Sequence, residues 1–297
     1  MLAHPARPSP MNPASNSPAV STAVTAFIGG GNMARSLIGG LCRAGTPGAA
    51  IAVAEPNVEL RSALAHDFGV AAHADNVAAA RDANTLVLAV KPQVMQSVCE
   101  GLRATVQANK PLIVSIAAGI RIEQLARWLG GNVSVVRAMP NTPALIGAGA
   151  TGACHCPRVD AAERARAERI LAAAGLVVWI DDQELMDTVT AISGSGPAYF
   201  FLLVEALEEA AVAQGMPRAT ARALAAQTCL GAGRMLREGD AGPAELRQRV
   251  TSPNGTTQAA LESFARDDFT AIVARAVAAA TRRGGELSAA FEGKETP

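Results

Sequence analysis

One junction near the start of the chain does most to narrow what it can fold into. Val24-Thr25-Ala26-Phe27-Ile28 reads as a β-strand and runs straight into Gly29-Gly30-Gly31-Asn32-Met33-Ala34, after which helical spacing begins. This is G-x-G-x-x-A between a strand and a helix. Gly29 suits a tight turn, Gly31 lets backbone approach a pyrophosphate, and Ala34 lets the helix close on the strand. The exposed N–H groups and the positive helix end then hold phosphates. Glycine clusters occur in many turns, so the string gains weight only from its context.

That context is an alternating pattern up to about residue 180. Short runs of β type recur at Val24–Ile28, Ala50–Ala54, Thr85–Val90, Leu112–Ile116 and Val133–Arg137, with helical stretches between them. The spacing is that of βαβ units and predicts a parallel sheet with helices on both faces. Ala150–His155 and Gly175–Ile180 flank a charged helix over Asp160–Ala173 and are expected to extend the sheet. Dinucleotide binding at the first βα turn is the reading this supports.

Beyond about residue 182 strand signals vanish. Helices are predicted over Pro197–Ala213, Thr220–Glu238, Pro243–Val250, Gly255–Ala265 and Asp267–Arg283. The expected fold is α/β, with an N-terminal Rossmann-type doubly wound sheet over 23–182 and a C-terminal all-helical domain over 183–283. A disordered tail over 1–22 and a flexible tail over 284–297 complete the division. The first helix is apolar on most sides, through Phe200, Phe201, Leu202, Leu203, Val204, Ala206 and Leu207. Such a helix has to be buried, and a small helical domain offers too little interior. A second subunit is the expected cover; a core helix sealed by its own neighbours is the alternative.

Composition removes other classes of function. Lys and Arg total 26 against 26 Asp and Glu, which argues against nucleic acid or an anionic membrane as a partner. Aromatics are 3%, too few for base- or sugar-stacking platforms. Cys42, Cys99, Cys154, Cys156 and Cys229 are scattered and odd in number, as reduced thiols of a cytosolic protein would be. Cys154-His155-Cys156 lacks the second cluster a tetrahedral metal site needs, so no metal is expected. Residues 1–22 lack the apolar core of a secretory signal and the arginine pattern of a transit peptide. No apolar run reads as long and clean enough to span a membrane, so a soluble cytoplasmic protein is expected.

The second strand ends at Glu55, 21 residues after Ala34. An acid there ordinarily accepts from the adenosine ribose 2′-OH and repels a 2′-phosphate, which favours NADH. Pro56-Asn57 can turn the acid away, and Asn57 or Arg61 can meet a phosphate, so the choice between NADPH and NADH stays open. Other strand ends read Val90-Lys91-Pro92-Gln93, Ser115-Ile116-Ala117-Ala118-Gly119 and Arg137-Ala138-Met139-Pro140-Asn141-Thr142-Pro143. In open α/β sheets the ligand lies beyond such ends. Ser193–Tyr199 and Thr251–Thr257 each supply hydroxyls and free N–H groups where a helix opens, a site suited to a carboxylate; simple capping explains one Ser or Thr in each. His4, His66, His73 and His155 lie outside all of these segments. A site poor in bases suits an electrophile that is already activated, such as a protonated imine.

Taken together, FIGGGNMA (27–34), LAVKPQ (88–93), SIAAGI (115–120), VVRAMPNTP (135–143), SGSGPAY (193–199) and SPNGTT (252–257) resemble the pyrroline-5-carboxylate reductase family, in family order over about 23–282. The resemblance implies a Rossmann domain, a helical dimerisation domain, and a homodimer or a larger ring of dimers. It implies hydride transfer from NADPH or NADH to the C=N carbon of 1-pyrroline-5-carboxylate, giving L-proline. Carried onto this chain, the cofactor would lie on Phe27, Ile28, Gly29, Gly30, Gly31, Asn32, Met33, Ala34 and Glu55. Its nicotinamide side would meet Val90, Lys91, Pro92, Met139 and Asn141. Ser252, Gly255 and Thr256 would bind the substrate carboxylate, and Thr257 would act at the ring nitrogen. Two alternatives remain: a β-hydroxy-acid dehydrogenase with Lys91 as base, and a non-enzymatic nucleotide-binding dimer.

Overall fold

Side chains along the first strands alternate between two apolar layers, as period-2 geometry requires. In the computed structural model, which describes residues 24–292, Ala26, Ile28, Leu86 and Leu88 enter one core, while Phe27, Val53, Val87 and Val114 enter the other. Strands covered on both faces belong to a sheet with helices on each side. The strands are β1 (Val24–Ile28), β2 (Ile51–Ala54), β3 (Ala71–His73), β4 (Ala83–Leu88), β5 (Leu112–Ser115), β6 (Val135–Met139), β7 (Gly149–His155) and β8 (Gly175–Trp179). They form an eight-stranded sheet in the order β3-β2-β1-β4-β5-β6-β7-β8.

The first face is covered by α3 (Asn76–Ala80), α4 (Pro92–Asn109) and α5 (Ile122–Trp128), the second by α1 (Asn32–Arg43), α2 (Val58–Phe68) and α6 (Ala161–Ala172). Met95, Leu102 and Leu125 are fully buried on one side and Leu37, Ile38 and Leu171 on the other. Each such side chain contributes about 1.5–3 kcal/mol. The Rossmann expectation holds with two differences. The short β3 was missed, because three residues carry no periodic signal. And β7 runs antiparallel to β6, Arg137 facing Cys154, before β8 returns parallel to β7. A 3-10 turn over Thr142–Ile146 joins β6 to β7 and cannot reach back for a parallel crossover.

The helical half comprises α7 (Met186–Val189), α8 (Gly196–Ala213), α9 (Arg218–Glu238), α10 (Pro243–Arg249), α11 (Thr256–Arg266) and α12 (Phe269–Glu292). The last helix runs past the predicted end at Arg283. Ser288 is buried on it, and Phe291 packs against the Rossmann core, so residues 284–292 are a docked helix and not a flexible tail. Residues 1–23 and 293–297, including the expected N-terminal tail, lie outside the described residues.

Phe200, Phe201 and Leu202 on α8 are 59%, 68% and 66% exposed, so the apolar helix is not sealed by its own chain. The stretch 183–213 is also long and apolar enough to cross a membrane by length and composition, which the reading of isolated apolar runs did not anticipate. It carries Glu205, Glu208 and Glu209.

Candidate active site at the carboxyl ends of the strands

The glycine turn is shaped by what surrounds each glycine. Gly29 has φ +96°, and a Cβ there would stand 2.8 Å from the Ala89 carbonyl oxygen. This is where β1 and β4 lie side by side and the strand order reverses, the place where open α/β sheets bind their ligands. Gly30 is equally confined: its Cβ would fall 2.6 Å from Leu64 Cδ1 and 3.1 Å from Glu55 Cβ. Gly31 differs, since nothing lies within 4 Å of its missing Cβ. It opens α1 as an N-cap without a side-chain capping bond. Uncapped N–H groups facing open space at a helix N-terminus are what a pyrophosphate requires, so the turn fits a dinucleotide. Ala34 is 1% exposed and packs with Phe27 and Leu37. Phe27 and Ile28 are fully buried on opposite faces of the sheet, so they hold the turn through packing.

Glu55 is bonded within the turn. It is buried, and Oε2 accepts from Gly30 N at 2.8 Å while Oε1 accepts from Asn57 N at 2.9 Å. The Asn57 side chain caps α2, accepting from Leu60 N at 2.9 Å. Arg61 folds over the same turn, with Nη1 donating to the carbonyls of Glu55 at 2.8 Å and Pro56 at 3.2 Å.

Val90 and Lys91 follow β4 directly, beside the glycine turn; Lys91 is exposed at the N-cap of α4 and Pro92 takes the first helical position. At the end of β6, Met139 Cε stands 2.9 Å from where a Gly194 Cβ would lie. Asn141 Nδ2 donates to Ser193 O at 2.8 Å, and Oδ1 accepts from Ala150 N at 2.9 Å. Met139 and Asn141 are thus joined to the opening of the helical half.

Ser193–Tyr199 does not form the open helix end expected of it. Residues Thr190–Gly194 are a π-turn running into α8, Ser195 N donates to Thr190 O, and Ser193 Oγ donates to Val189 O at 2.9 Å. Its backbone and one hydroxyl are consumed by helical bonding, which leaves no free N-terminus for a carboxylate. Thr251–Thr257 does open a helix. Gly255 is the N-cap of α11, Asn254 adopts φ +59°, and Gly255 N donates to Ser252 O at 3.0 Å. Ser252 and Thr256 are exposed and Thr257 half-buried. Among the described residues, the hydrogen bonds of this segment all fall within 247–262, none reaching the strand ends.

A residue that went unassigned is Arg137, 4% exposed within β6. Burial pulls its pKa below the ordinary arginine range, partly offset by Cys154 and Asp187. Its Nη2 lies 3.9 Å from Asp187 Oδ1, and that oxygen also accepts from Ser288 Oγ at 3.5 Å. A charged residue inside an apolar strand was the available signal. Cys154 faces this arginine from the core side, whereas His155 is exposed and lies edge-on to Trp179 at 5.6 Å.

Comparison with known proteins fits this geometry. The pyrroline-5-carboxylate reductase dimerisation family matches residues 183–287, and the family described as NADP oxidoreductase coenzyme F420-dependent matches residues 24–119. The pyrroline-5-carboxylate reductase of Pseudomonas aeruginosa is 48% identical, covering 91% of this chain and 98% of that protein. The solved pyrroline-5-carboxylate reductase of Coxiella burnetii superposes with a TM-score of 0.87 at 40% identity, covering 90% of this chain and 98% of that one. The Plasmodium falciparum pyrroline carboxylate reductase, solved with NADP bound, gives a TM-score of 0.78 at 28% identity, covering 90% and 98% of the two chains. With such identity over nearly its whole length, and with the glycine turn, joined strand ends and exposed helical face in place, this chain belongs to the pyrroline-5-carboxylate reductase family.

Proposed function

We propose that this chain reduces 1-pyrroline-5-carboxylate to L-proline with a reduced nicotinamide dinucleotide, at a site where the glycine turn meets the Ser252–Thr257 loop. The observation that carries this reading is the uncapped, open N-terminus of α1 at Gly31, set where the strand order reverses. The bound dinucleotide supplies a hydride to the C=N carbon. The chain's own work is to hold, orient and exclude water.

Gly29 to Ala34 hold the pyrophosphate, and Val90, Lys91, Pro92, Met139 and Asn141 set the nicotinamide side. Ser252, Gly255 and Thr256 present a hydroxyl and N–H groups to the substrate carboxylate, favoured by the positive end of α11. Thr257 Oγ1 accepts from the iminium N–H and keeps that bond as the ring nitrogen becomes an amine. The substrate nitrogen arrives protonated, so hydride addition alone completes the reduction and no base is required.

Among the described residues the Ser252–Thr257 loop is bonded only to its own helices, and α8 is widely exposed. We therefore place the loop against the strand ends of a second copy, in a homodimer of soluble, cytoplasmic subunits able to associate into rings. The test is the loss of reduced-nicotinamide absorbance with 1-pyrroline-5-carboxylate, run with NADPH and with NADH. Substrate-dependent oxidation is expected. A folded protein that binds the dinucleotide yet oxidises neither form would overturn the substrate, leaving the third reading of a nucleotide-binding dimer.

A further inference from the structure

We propose that Glu55 serves the glycine turn and not the ribose, and that Arg61 gives this chain a preference for the 2′-phosphorylated dinucleotide. The inference rests on the dinucleotide reading above and concerns what discriminates the two cofactors.

An acid at the end of the second strand selects NADH when its carboxylate is presented to the ribose hydroxyl. Here each oxygen already accepts one backbone N–H. Oε2 takes the Gly30 N–H at 2.8 Å and Oε1 the Asn57 N–H at 2.9 Å, with the residue 8% exposed. These bonds tie the end of β2 to the turn after β1, and the side chain also packs where a Gly30 Cβ would stand. The carboxylate lies between the N-terminal ends of α1 and α2. Each end carries about half a positive charge, and together they offset the negative charge that would repel a phosphate.

The outer side of the same turn carries Arg61. Arg61 Nη1 is pinned by the carbonyls of Glu55 and Pro56, which fixes the guanidinium beside the end of β2. Its Nε and Nη2 make no hydrogen bond among the described residues. A fixed fork with open N–H groups matches the geometry of a phosphate oxygen pair. The neighbouring cation, Arg35, is held by Asp67 and lies over the Phe68 ring. The Asn57 side chain is spent on capping α2. That leaves Arg61 as the group to meet a 2′-phosphate.

The experiment is a fluorescence titration of NADPH and NADH, without imine, on the full chain and on Arg61→Ala and Glu55→Gln, with melting temperatures measured alongside. The unaltered chain is expected to bind NADPH at least about tenfold more tightly, in keeping with charge-assisted bonds to one phosphate. Arg61→Ala should weaken NADPH by about 10- to 100-fold with a much smaller change for NADH. Glu55→Gln sets an amide N–H against a backbone N–H, so it should weaken both cofactors alike and leave their ratio within about threefold. Tighter NADPH and weaker NADH in Glu55→Gln would overturn the proposal, as would an unchanged ratio in Arg61→Ala. Binding of neither cofactor by the unaltered, folded chain would instead remove the dinucleotide reading beneath it.

Discussion

Asn141 bridges two parts of the molecule, donating to the Ser193 carbonyl at 2.8 Å while accepting from Ala150 N at 2.9 Å. It is 9% exposed, so neither partner has water to fall back on. Asn141→Ala should cost about 2 kcal/mol, since it strands a carbonyl and an N–H. Met139 rests on Gly194 beside this joint, so turnover should fall as well. Urea denaturation and steady-state kinetics on the same preparation check both effects. Stability within about 0.5 kcal/mol of the unaltered chain would show that the joint is held elsewhere.

The glycine turn predicts opposite outcomes at two positions. Gly29→Ala meets the Ala89 carbonyl at 2.8 Å and is strained at φ +96°, so it should lower the melting temperature. Gly31→Ala meets nothing within 4 Å and is extended, so the fold should tolerate it. Its methyl group would enter the space assigned to the pyrophosphate, weakening cofactor binding by at least about tenfold through lost close contact. A Gly31→Ala protein that binds the dinucleotide normally would move the phosphates away from α1.

Much of this was legible before any coordinates, for definite reasons. Gly29, Gly31 and Ala34 stand at fixed offsets in a strand–turn–helix, so their spacing carries geometry. The exposed face of α8 was legible because seven apolar residues in eight positions exceed what one small domain can cover. Glu55 was placed at the right strand end, but position does not reveal where a carboxylate points. That depended on Gly30 N and Asn57 N, whose directions are set by tertiary packing. Ser193–Tyr199 misled because Ser, Gly and Pro also mark a helix start, and only the bond from Ser195 N to Thr190 O shows the helix passing through. The end of α12 was missed too. The helix expected to end at Arg283 runs on through Gly284, where a Cβ would stand 3.2 Å from Asp187 Cβ, so the glycine permits close packing.

The exposed face of α8 gives a prediction about assembly. Phe201 is 68% exposed in the single chain, so a charge there costs nothing within the subunit. In a dimer it would be buried against apolar neighbours, where an unpaired carboxylate is costly. Phe201→Glu should therefore sediment as a monomer with an unchanged melting transition for the Rossmann half. Dinucleotide binding should persist while imine turnover is lost. A monomer with full turnover would show that one chain holds a complete site.

At the Ser252–Thr257 loop, two hydroxyl substitutions should separate binding from chemistry if the proposed site is right. Thr257→Ala should lower kcat by about one to two orders of magnitude with dinucleotide affinity unmoved, the effect of losing one oriented bond to the reacting nitrogen. Ser252→Ala should instead raise KM for the imino acid. Lys91→Ala distinguishes the alternative dehydrogenase, because a hydroxy-acid oxidation needs a base and imine reduction does not. Abolished turnover in Lys91→Ala with intact cofactor binding would favour the hydroxy-acid reading. Unchanged kinetics in Thr257→Ala would remove that residue from the mechanism.

Acid should act on the hairpin of α8 and α9 through Glu208. Its Oε1 accepts from Arg218 Nη1 and Arg222 Nη2, each at 2.9 Å, and its Oε2 accepts from Arg222 Nε at 2.9 Å. These bonds, from Arg222 first and Arg218 second, hold its carboxyl below the usual glutamate range. A pKa lower in the folded chain than in the unfolded one contributes stability in full above the unfolded value, about 4.3. That contribution fades as pH falls through the folded value. Glu208→Gln lacks it at every pH. The melting temperatures of the two proteins should therefore differ most at pH 7 and converge as pH drops below about 4, a comparison in which other titrating groups cancel. Other acidic partners on the hairpin, chiefly Glu209 with Arg218, are present in both proteins and do not alter the sign. A gap that stays constant from pH 7 to pH 3 would mean that shape, and not charge, holds α8 to α9.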